Sequence, residues 1–522
     1  MTLMLTLGTA AFGAQKTLPS GKDTGSINVT NLKPGDTVTA YQFVKADYNE
    51  YGFTGYSAIN NYVKDPVAPT AQEVIDMASN AATMTVAAEK KVATGDTEVT
   101  LNGLPVGYYL VMVTSGSETV YSPMIAGIYY SKSATDNTLT NGAISADSDF
   151  EIKAQKCWAK SSTPKLEKTI VTPSSKNSKG DDIAIGGKIT FNLSATVPSY
   201  SKEYKKVTYK IYDIMSEGLD YVDGSMKCFI EKYENNRENI KVTPKVNGGI
   251  IEITFDSKFI LEHPGQKIQV EYQAKLNEKA GVNFDANINK AYLEYSNNPA
   301  SGSTAKTGED KVYVYTFGID SNLFGKSTEK WNEKTKELIK VEEGEYQWVE
   351  TEKESGIFTT TTALEGATFT LTNNKTKKSY TATSDKYGYL KFTGLDAGEY
   401  TLQETDAPDG FTLNDAKHTV AITAEYNQDG TLKSYTIKID DKATSTYTAT
   451  YDKGVIKTIT STKDSQGNIS ESAILKNSKM SFLPSTGGVG TTIFAIVGVV
   501  FVVAALGLHM ILRGKNKLEQ DR

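Results

Sequence analysis

Most of this chain consists of short stretches in which apolar and polar residues alternate. The stretches KITFNLSATV (188–197), KVTYKIYDIM (206–215) and KIQVEYQAKL (267–276) show this pattern. A period of two is typical of strands with one buried face, and short strands separated by turns are typical of β-sandwiches. We therefore predict an all-β chain of tandem β-sandwich domains.

Two segments depart from this alternation. The stretch TAQEVIDMASN (70–80) predicts a helix, because Thr70 and Glu73 can form a capping box. Its apolar residues recur at helical spacing, at Val74, Ile75, Met77 and Ala78. The charged run at 326–356 is compatible with a helix or with a long insertion loop, and the pattern leaves both open.

Turn-rich and Ser/Thr/Pro-rich connectors divide the exported part of the chain. We place domains at 15–160, 163–314 and 315–480. The stretches GLPVGYYLVMV (103–113) and GLDAGEYTLQE (394–404) share a turn glycine followed by an aromatic residue, which predicts a similar turn and strand in the first and last domains.

Both ends of the chain carry apolar segments. Residues 1–14 suit the apolar core and cleavage site of a signal peptide, although the basic start is missing, so we expect a truncated signal. Residues 491–512 contain no charged residue and match the length of a transmembrane helix. The basic tail at 513–522 should stay in the cytoplasm, which places the bulk of the chain outside the cell.

Composition narrows the function further. The 522 residues carry a net charge of −6 without a basic patch, which argues against nucleic-acid binding. The two cysteines, Cys157 and Cys228, have no metal-ligand spacing; they could pair in an exported protein or stay free. The three histidines are scattered, and no nucleophile or phosphate-binding motif appears, so an enzyme is not expected.

The C-terminal motif carries a family resemblance. LPSTGG (483–488), followed by an apolar span and a basic tail, resembles the sorting signal that sortases recognise in Gram-positive bacteria. With ALEGATFTL (363–371) and YTLQETDAPDGF (400–411), the chain resembles the backbone, or shaft, pilins of sortase-assembled pili. The resemblance implies an N-terminal pilin domain, a middle immunoglobulin-like domain and a C-terminal collagen-adhesin B-type domain.

The resemblance also implies how subunits are joined. In that family, a class C sortase cleaves after the motif threonine and passes its carbonyl to a lysine of the next subunit. The motif residues here are Leu483, Pro484, Ser485, Thr486 and Gly487. The acceptor usually follows a tyrosine and a proline; Trp158-Ala159-Lys160 occupies that place without the proline, so Lys160 is the candidate, with Lys153 and Lys156 as alternatives.

Family members also form spontaneous Lys–Asn isopeptide bonds within their domains. The reaction needs a neutral lysine amine and a protonated carboxyl group, and an apolar core favours both neutral forms. The carboxyl group then shuttles protons as ammonia leaves. In the middle domain, the resemblance assigns Lys168 on the first strand, Asp213 as the acid and Asn289 on the last strand.

The other two domains are expected to differ from each other. In the C-terminal domain, the resemblance assigns Glu404 as the acid and Asn477 as the amide, with Lys326 as the lysine and Lys340 as its rival. In the first domain, Val113 stands where Glu404 stands, so we expect no bond there.

The sequence therefore predicts the major subunit of a covalent pilus that supports adhesion on a Gram-positive cell wall. Its implied partners are other copies of itself, class C and housekeeping sortases, minor pilins and peptidoglycan, with no cofactor. The alternative is a monomeric wall-anchored adhesin or minor pilin, which would use the same sorting signal without an acceptor lysine. A Cys157–Cys228 disulfide, if formed, would join the first two domains.

Overall fold

The computed structural model describes residues 18–462 and 473–475, except for 116–117, 133–138, 141, 146–149, 172–176, 232–235, 320–323, 327–335, 343–344, 351–359, 363, 386–389 and 441–442. The described residues are mostly β-strands, which confirms the all-β fold class. The strands fall into three successive units, each with its own sheets and apolar core.

The first unit encloses its core between a larger and a smaller sheet. Its strands are β1 (Thr24–Thr30), β2 (Thr37–Asn49), β3 (Gly52–Ala58), β4 (Val86–Lys91), β5 (Glu98–Pro105), β6 (Gly107–Thr114), β7 (Val120–Tyr121), β8 (Met124–Ser131), β9 (Glu151–Ala154), β10 (Cys157–Trp158) and β11 (Ser161–Ser162). The larger sheet runs β3-β2-β6-β8-β9, with β4 also on β2, and the smaller runs β10-β1-β5. Buried Ile27, Tyr109 and Ile128 belong to the core that both sheets line.

The predicted helix is confirmed as α1 (Ala71–Ser79), followed by a 3₁₀ turn at Ala81–Thr83. The Thr70 hydroxyl accepts the Glu73 N–H at 3.2 Å, and the Glu73 carboxylate accepts the Thr70 N–H at 2.8 Å. These bonds satisfy N–H groups that the first turn cannot pair internally. Ile75, Met77 and Ala78 are buried, so the apolar face was correctly located.

The middle unit is a two-sheet sandwich. Its strands are β12 (Leu166–Ile170), β13 (Gly180–Asp182), β14 (Lys188–Thr196), β15 (Tyr209–Met215), β16 (Leu219–Tyr221), β17 (Lys227–Glu231), β18 (Arg237–Ile240), β19 (Lys245–Asn247), β20 (Ile250–Thr254), β21 (Lys267–Leu276), β22 (Asn287–Asn298), β23 (Ser303–Lys306) and β24 (Asp310–Tyr315), with the helix α2 (Ser257–Glu262). One sheet runs β12-β14-β21-β17-β18 and the other β13-β24-β22-β15-β20-β19. Their inward-facing residues, among them Phe191, Ile211 and Val270, form one core.

The third unit is built on a seven-stranded sheet. Its strands are β25 (Phe317–Ile319), β26 (Phe324–Lys326), β27 (Lys336–Glu342), β28 (Glu345–Glu350), β29 (Thr360–Thr362), β30 (Thr368–Asn373), β31 (Ser379–Thr383), β32 (Phe392–Leu395), β33 (Gly398–Asp406), β34 (Lys417–Tyr426), β35 (Leu432–Ile439), β36 (Ala443–Asp452), β37 (Val455–Thr462) and β38 (Ala473–Leu475). The large sheet runs β31-β30-β33-β34-β35-β36-β37, and β25 pairs with β32.

The charged run at 326–356 is compatible by sequence with a helix or a loop. Its two longest described stretches, 336–342 and 345–350, are instead the strands β27 and β28. Strands β27 and β28 pair antiparallel, with Leu338 opposite Trp348, and β28 continues to β29. In Ile339-Lys340-Val341-Glu342, β-branched residues alternate with charged residues, a pattern that favours a strand in spite of the high charge.

The middle and third units are joined by hydrogen bonds to one carboxylate. Half-buried Asp182, at the end of β13, accepts the Ala397 N–H at 2.5 Å and the Tyr426 hydroxyl at 2.6 Å. Burial raises the pKa of Asp182 to about 6, although both hydrogen bonds oppose the shift. This carboxylate therefore stays costly to ionise even though it is hydrogen-bonded.

This shift predicts a pH-dependent effect of Asp182→Asn. Because the folded-state pKa is raised, the stabilisation from protonated Asp182 is present below pH 3.8 and is lost as pH rises through about 6. An amide does not titrate, so we expect the variant to gain thermal stability relative to wild type as pH rises across this range. Unfolding temperatures of both proteins against pH test this; a constant difference would refute it. The exposed Asp220→Asn serves as the control.

Candidate functional site

The middle unit brings a lysine, an acid and an amide together inside its core. Lys168 lies on β12, where Leu166, Lys168 and Ile170 all face inward. Asp213 on β15 and Asn289 on β22 also face inward, from the opposite sheet. All three side chains are fully buried. The structure thus places the three residues of the predicted middle-domain set in one cluster.

The strand assignment of Asn289 was wrong. Asn289 was expected on the last strand of the domain, but β22 is followed by β23 and by β24, which pairs with β22. The alternation in this part of the chain identifies strands without giving their number or order. In the register of β15 and β22, Asn289 lies opposite Met215, so it is displaced by one inward-facing position from Asp213.

A fourth residue, Tyr272 on β21, completes the cluster. Its hydroxyl donates to Asp213 Oδ1 at 2.8 Å. The Tyr272 hydroxyl oxygen also accepts hydrogen bonds from Asn289 Nδ2 at 2.7 Å and from Lys168 Nζ at 3.2 Å. Sequence reasoning missed Tyr272 because it is one of several inward-facing aromatic residues; the only signal was its inward position in KIQVEYQAKL.

Electrostatics in the cluster favour the neutral forms of the lysine and the acid. Lys168 Nζ contacts Asp213 Oδ2 and lies 5.0 Å and 5.3 Å from the ring centroids of Phe191 and Tyr272. Burial lowers the pKa of Lys168, opposed by the Asp213 charge. Burial raises the pKa of Asp213, opposed by Lys168. A neutral amine beside a protonated carboxyl group is the state that amide exchange requires.

The backbone of Lys168 is also fixed. Asp310 Oδ2 accepts the Lys168 N–H at 2.7 Å, and Lys179 Nζ donates to the Lys168 carbonyl at 2.6 Å. Lys179 and Asp310 pair with each other at 2.6 Å. These contacts hold β12 at the edge of its sheet, and they leave the Lys168 side chain few ways to turn from the cluster.

The third unit shows only part of its predicted set. Glu404 on β33 is buried, and its carboxylate accepts the Asn414 N–H at 2.8 Å. The β26 backbone pairs in parallel with β38, with Lys326 opposite Leu475. Asn477 lies outside the described residues, two positions beyond that strand. The rival, Lys340, lies on β27 opposite Tyr346, in a separate sheet.

The first unit has an apolar residue at the corresponding position. Val113 on β6 is buried and pairs with Val38. A buried carboxyl group, Asp36, does lie nearby in this unit, but it accepts the Tyr121 hydroxyl at 2.6 Å and the Lys33 N–H at 2.8 Å.

The proposed acceptor, Lys160, lies on an exposed and well-anchored segment. Trp158 is 70% exposed and Lys160 is exposed, whereas Ala159 between them is fully buried. Asn31 Nδ2 donates to the Ala159 carbonyl at 2.7 Å, and the Lys160 carbonyl accepts the Ser122 N–H at 3.0 Å. The lysine therefore projects from a fixed backbone.

The two alternatives differ in their surroundings. Lys153 is partly buried and pairs with Glu151 at 3.5 Å. Lys156 is exposed in the connection between β9 and β10.

The terminal features lie outside the described residues. They are the signal at 1–14, the sorting motif at 483–488, the span at 491–512 and the tail at 513–522. Within the ranges that the structure describes, no helix has the length and apolar character needed to cross a membrane.

Comparison with known proteins identifies three matching family models. They are a T6 antigen Ig-like domain at 22–161, a prealbumin-like fold domain at 347–436 and an LPXTG cell wall anchor motif at 476–517. The trypsin-resistant surface T6 protein of Streptococcus pyogenes serotype M6 is 26% identical over 548 residues, covering 95% of this chain and 96% of that protein.

One solved structure agrees with this chain in fold. The T6 backbone pilin of serotype M6 Streptococcus pyogenes matches with a TM-score of 0.59 and 21% identity, over 89% of this chain and 100% of that chain. The full-length major pilin SpaD from Corynebacterium diphtheriae has a TM-score of 0.47 and 16% identity, over 89% and 99% of the two chains. The chain is thus similar in fold to a Gram-positive backbone pilin and carries an LPXTG cell wall anchor motif.

The anchor motif locates this protein on the cell surface, attached to the cell wall. The relatives reported above are a surface protein and backbone pilins, and none of them is named as an enzyme.

The sequence allows Cys157 and Cys228 either to pair or to stay free. In the structure both are free thiols. Cys157 lies in the core of the first unit and Cys228 in that of the middle unit. Burial raises the pKa of Cys157 to about 11 and that of Cys228 to about 12. Thiols in separate cores cannot approach to bonding distance without unfolding.

These surroundings predict that neither thiol reacts in the folded pilin. Ellman's reagent should label neither cysteine in the folded protein, because burial blocks access and suppresses the thiolate. It should label both cysteines after unfolding, without any reductant. Cys157→Ser should leave one reactive thiol in the unfolded protein. If Ellman's reagent labels no thiol in the unfolded wild type until a reductant is added, the cysteines are paired and this assignment is wrong.

Proposed function

We propose that a class C sortase joins Thr486 of one pilin subunit to Lys160 of the next. The enzyme would cleave between Thr486 and Gly487, hold the threonine carbonyl as a thioester, and release it to the lysine amine. The observation that carries the choice of acceptor is the exposure of Lys160 on an anchored backbone. A fixed nucleophile loses little conformational freedom when it meets the acyl-enzyme.

Exposed Trp158 also favours Lys160 over its neighbours. The Trp158 and Lys160 side chains are both exposed, separated by one buried residue, so an incoming enzyme could contact the ring while it delivers the acyl group. Lys153 is engaged with Glu151, and its side chain is partly buried. A housekeeping sortase for wall attachment, minor pilins and an adhesive role complete the proposal.

Within the middle unit, we infer an isopeptide bond between Lys168 and Asn289, with Asp213 as the acid. The neutral Lys168 amine would attack the Asn289 side-chain carbonyl carbon, and ammonia would leave. Support comes from the burial of all three groups and from the opposite pKa shifts of Lys168 and Asp213. In the third unit we propose the same reaction for Lys326, Asn477 and Glu404, since β26 pairs with the strand that leads to Asn477.

Such a bond would suit a subunit under tension. Force would enter the middle unit along β12, and a Lys168–Asn289 cross-link would pass it directly to β22 in the other sheet. The chain between these residues would then carry no load, so the strands need not separate. The bond would also restrict the unfolded state, as a disulfide does, and would need no oxidant.

The middle-domain bond predicts matched effects of Lys168→Ala and Asn289→Ala. Each variant should fail to lose ammonia, as seen by intact mass, and should unfold more easily by about 4–5 kcal/mol, the value for a cross-link that closes a loop of roughly a hundred residues. The control is Lys290→Ala, since Lys290 pairs with Glu309 at the surface at 2.8 Å. A wild-type protein that retains both the amine and the amide would refute the bond.

The acceptor assignment predicts the outcome of a lysine scan in the pilus-forming cell. Lys160→Ala should abolish the ladder of covalent multimers on immunoblots of boiled cell-wall extracts, because no amine remains to resolve the acyl-enzyme at that position. Lys156→Ala and Lys153→Ala are the controls and should keep the ladder. A ladder that persists in Lys160→Ala and vanishes in one of the controls would reassign the acceptor.

A further inference from the structure

The hydroxyl of Tyr272 is the point at which the reactive groups of the middle unit meet. It donates to Asp213 Oδ1 at 2.8 Å and accepts from Asn289 Nδ2 at 2.7 Å. Lys168 Nζ lies 3.2 Å from the same oxygen and also contacts Asp213 Oδ2. Tyr272 is only 1% exposed, and its hydroxyl contacts all three groups directly, without a bridging water.

The acid and the amide are not hydrogen-bonded to each other in this cluster. Among the described residues, Asp213 bonds to Lys168 and Tyr272, and Asn289 reaches Asp213 only through Tyr272. The Asn289 amide is held by its nitrogen, while its oxygen is buried without a hydrogen-bond partner among the described residues. The nitrogen, which must leave as ammonia, is therefore the atom that lies against the Tyr272 hydroxyl.

We propose that Tyr272 is a catalytic residue of the isopeptide reaction, relaying a proton from Asp213 to the departing nitrogen of Asn289. This proposal rests on the Lys168–Asn289 bond inferred above and deepens it. The chain of contacts runs from Lys168 Nζ to Asp213 Oδ2, from Asp213 Oδ1 to the Tyr272 oxygen, and from there to Asn289 Nδ2.

The step balances without any other reactant. Lys168 Nζ adds to the Asn289 Cγ atom and gives one proton to Asp213 Oδ2. As Cγ becomes tetrahedral, the Asn289 nitrogen gains a free lone pair and can accept a proton, so the Tyr272 O–H turns from Asp213 Oδ1 towards Asn289 Nδ2. The protonated Asp213 then gives its Oδ1 proton to the Tyr272 oxygen, and Tyr272 gives its own hydroxyl proton to Asn289 Nδ2. The Cγ–Nδ2 bond then breaks, ammonia leaves with the bonding electron pair, and a secondary amide remains. Asp213 and Tyr272 end protonated, as they began.

A tyrosine suits this position for a physical reason. A hydroxyl group both donates and accepts, so one oxygen can receive a proton on one side and release one on the other. Burial and the nearby Asp213 charge raise the pKa of Tyr272 well above its ordinary value, so the phenol stays protonated. A phenylalanine would fill almost the same space and would break the relay.

The test compares Tyr272→Phe with a matched variant in the full chain. Tyr209 is also 1% exposed and belongs to the same core, but its hydroxyl has no hydrogen-bond partner among the described residues. Tyr209→Phe therefore removes a buried hydroxyl without touching the cluster. Cell-free synthesis followed by peptide mapping over time measures how fast the peptides of Lys168 and Asn289 become linked with loss of ammonia.

We expect Tyr272→Phe to slow the linkage about 100-fold or more, the range for a lost proton-transfer group, and Tyr209→Phe to react like wild type. A wild-type rate in Tyr272→Phe would overturn the relay while leaving the bond itself intact. Absence of linkage in wild type would overturn the bond and the relay together. Equal slowing in both phenylalanine variants would mean that packing alone is responsible, which also overturns the relay.

A second variant keeps the relay testable if Tyr272→Phe does not fold, as judged by circular dichroism. Difluorotyrosine at position 272 retains the ring and hydroxyl but makes the phenol more acidic. If Tyr272 transfers a proton in the rate-determining step, the linkage rate and its pH profile should both change. An unchanged rate and profile would overturn the proposal.

Discussion

The middle unit is organised around the cost of burying Lys168. A charged ammonium in an apolar core is so unfavourable that such a group must be paired or neutral. Asp213 supplies the partner, Tyr272 links the pair to Asn289, and two aromatic rings exclude water. The same burial that threatens stability shifts both titrating groups towards their neutral forms. The burial that makes charged Lys168 and Asp213 unfavourable thus also favours the neutral forms that the reaction needs. Forming a neutral amide would remove the cost of burying the lysine amine.

The three units of the pilin differ in this respect. The middle unit brings together the lysine, acid and amide of the proposed reaction, and the third has a buried acid, Glu404, on β33. The first unit has Val113 at the corresponding place. That unit also carries the exposed Lys160. A shaft subunit so built would be cross-linked in the units that carry tension from the acceptor lysine to the C-terminal threonine, and would keep the acceptor unit free of internal bonds.

The middle unit also connects its neighbours. The Tyr295 hydroxyl donates to the Glu118 carbonyl of the first unit, and Asp182 accepts hydrogen bonds from Ala397 and Tyr426 of the third. Apolar contacts add to these junctions. Phe284 of the middle unit packs against Tyr435 of the third, and Ile75 and Val120 of the first unit belong to the core of the middle unit. Tension carried along covalent bonds within units would pass through such junctions between units.

The sequence by itself determined the all-β fold and the helix at 70–80, because strand alternation and helix capping are local properties. The resemblance to a family, carried by its motifs, supplied Lys168, Asp213 and Asn289 as one candidate set. The sequence did not determine that Asn289 lies on β22 and not on the last strand, nor that Lys336–Glu342 and Glu345–Glu350 pair as strands. Strand order and pairing depend on contacts between distant residues, which no local pattern encodes. For the same reason Tyr272 could not be found: only the packing of two sheets shows which inward-facing aromatic hydroxyl meets the reactive groups.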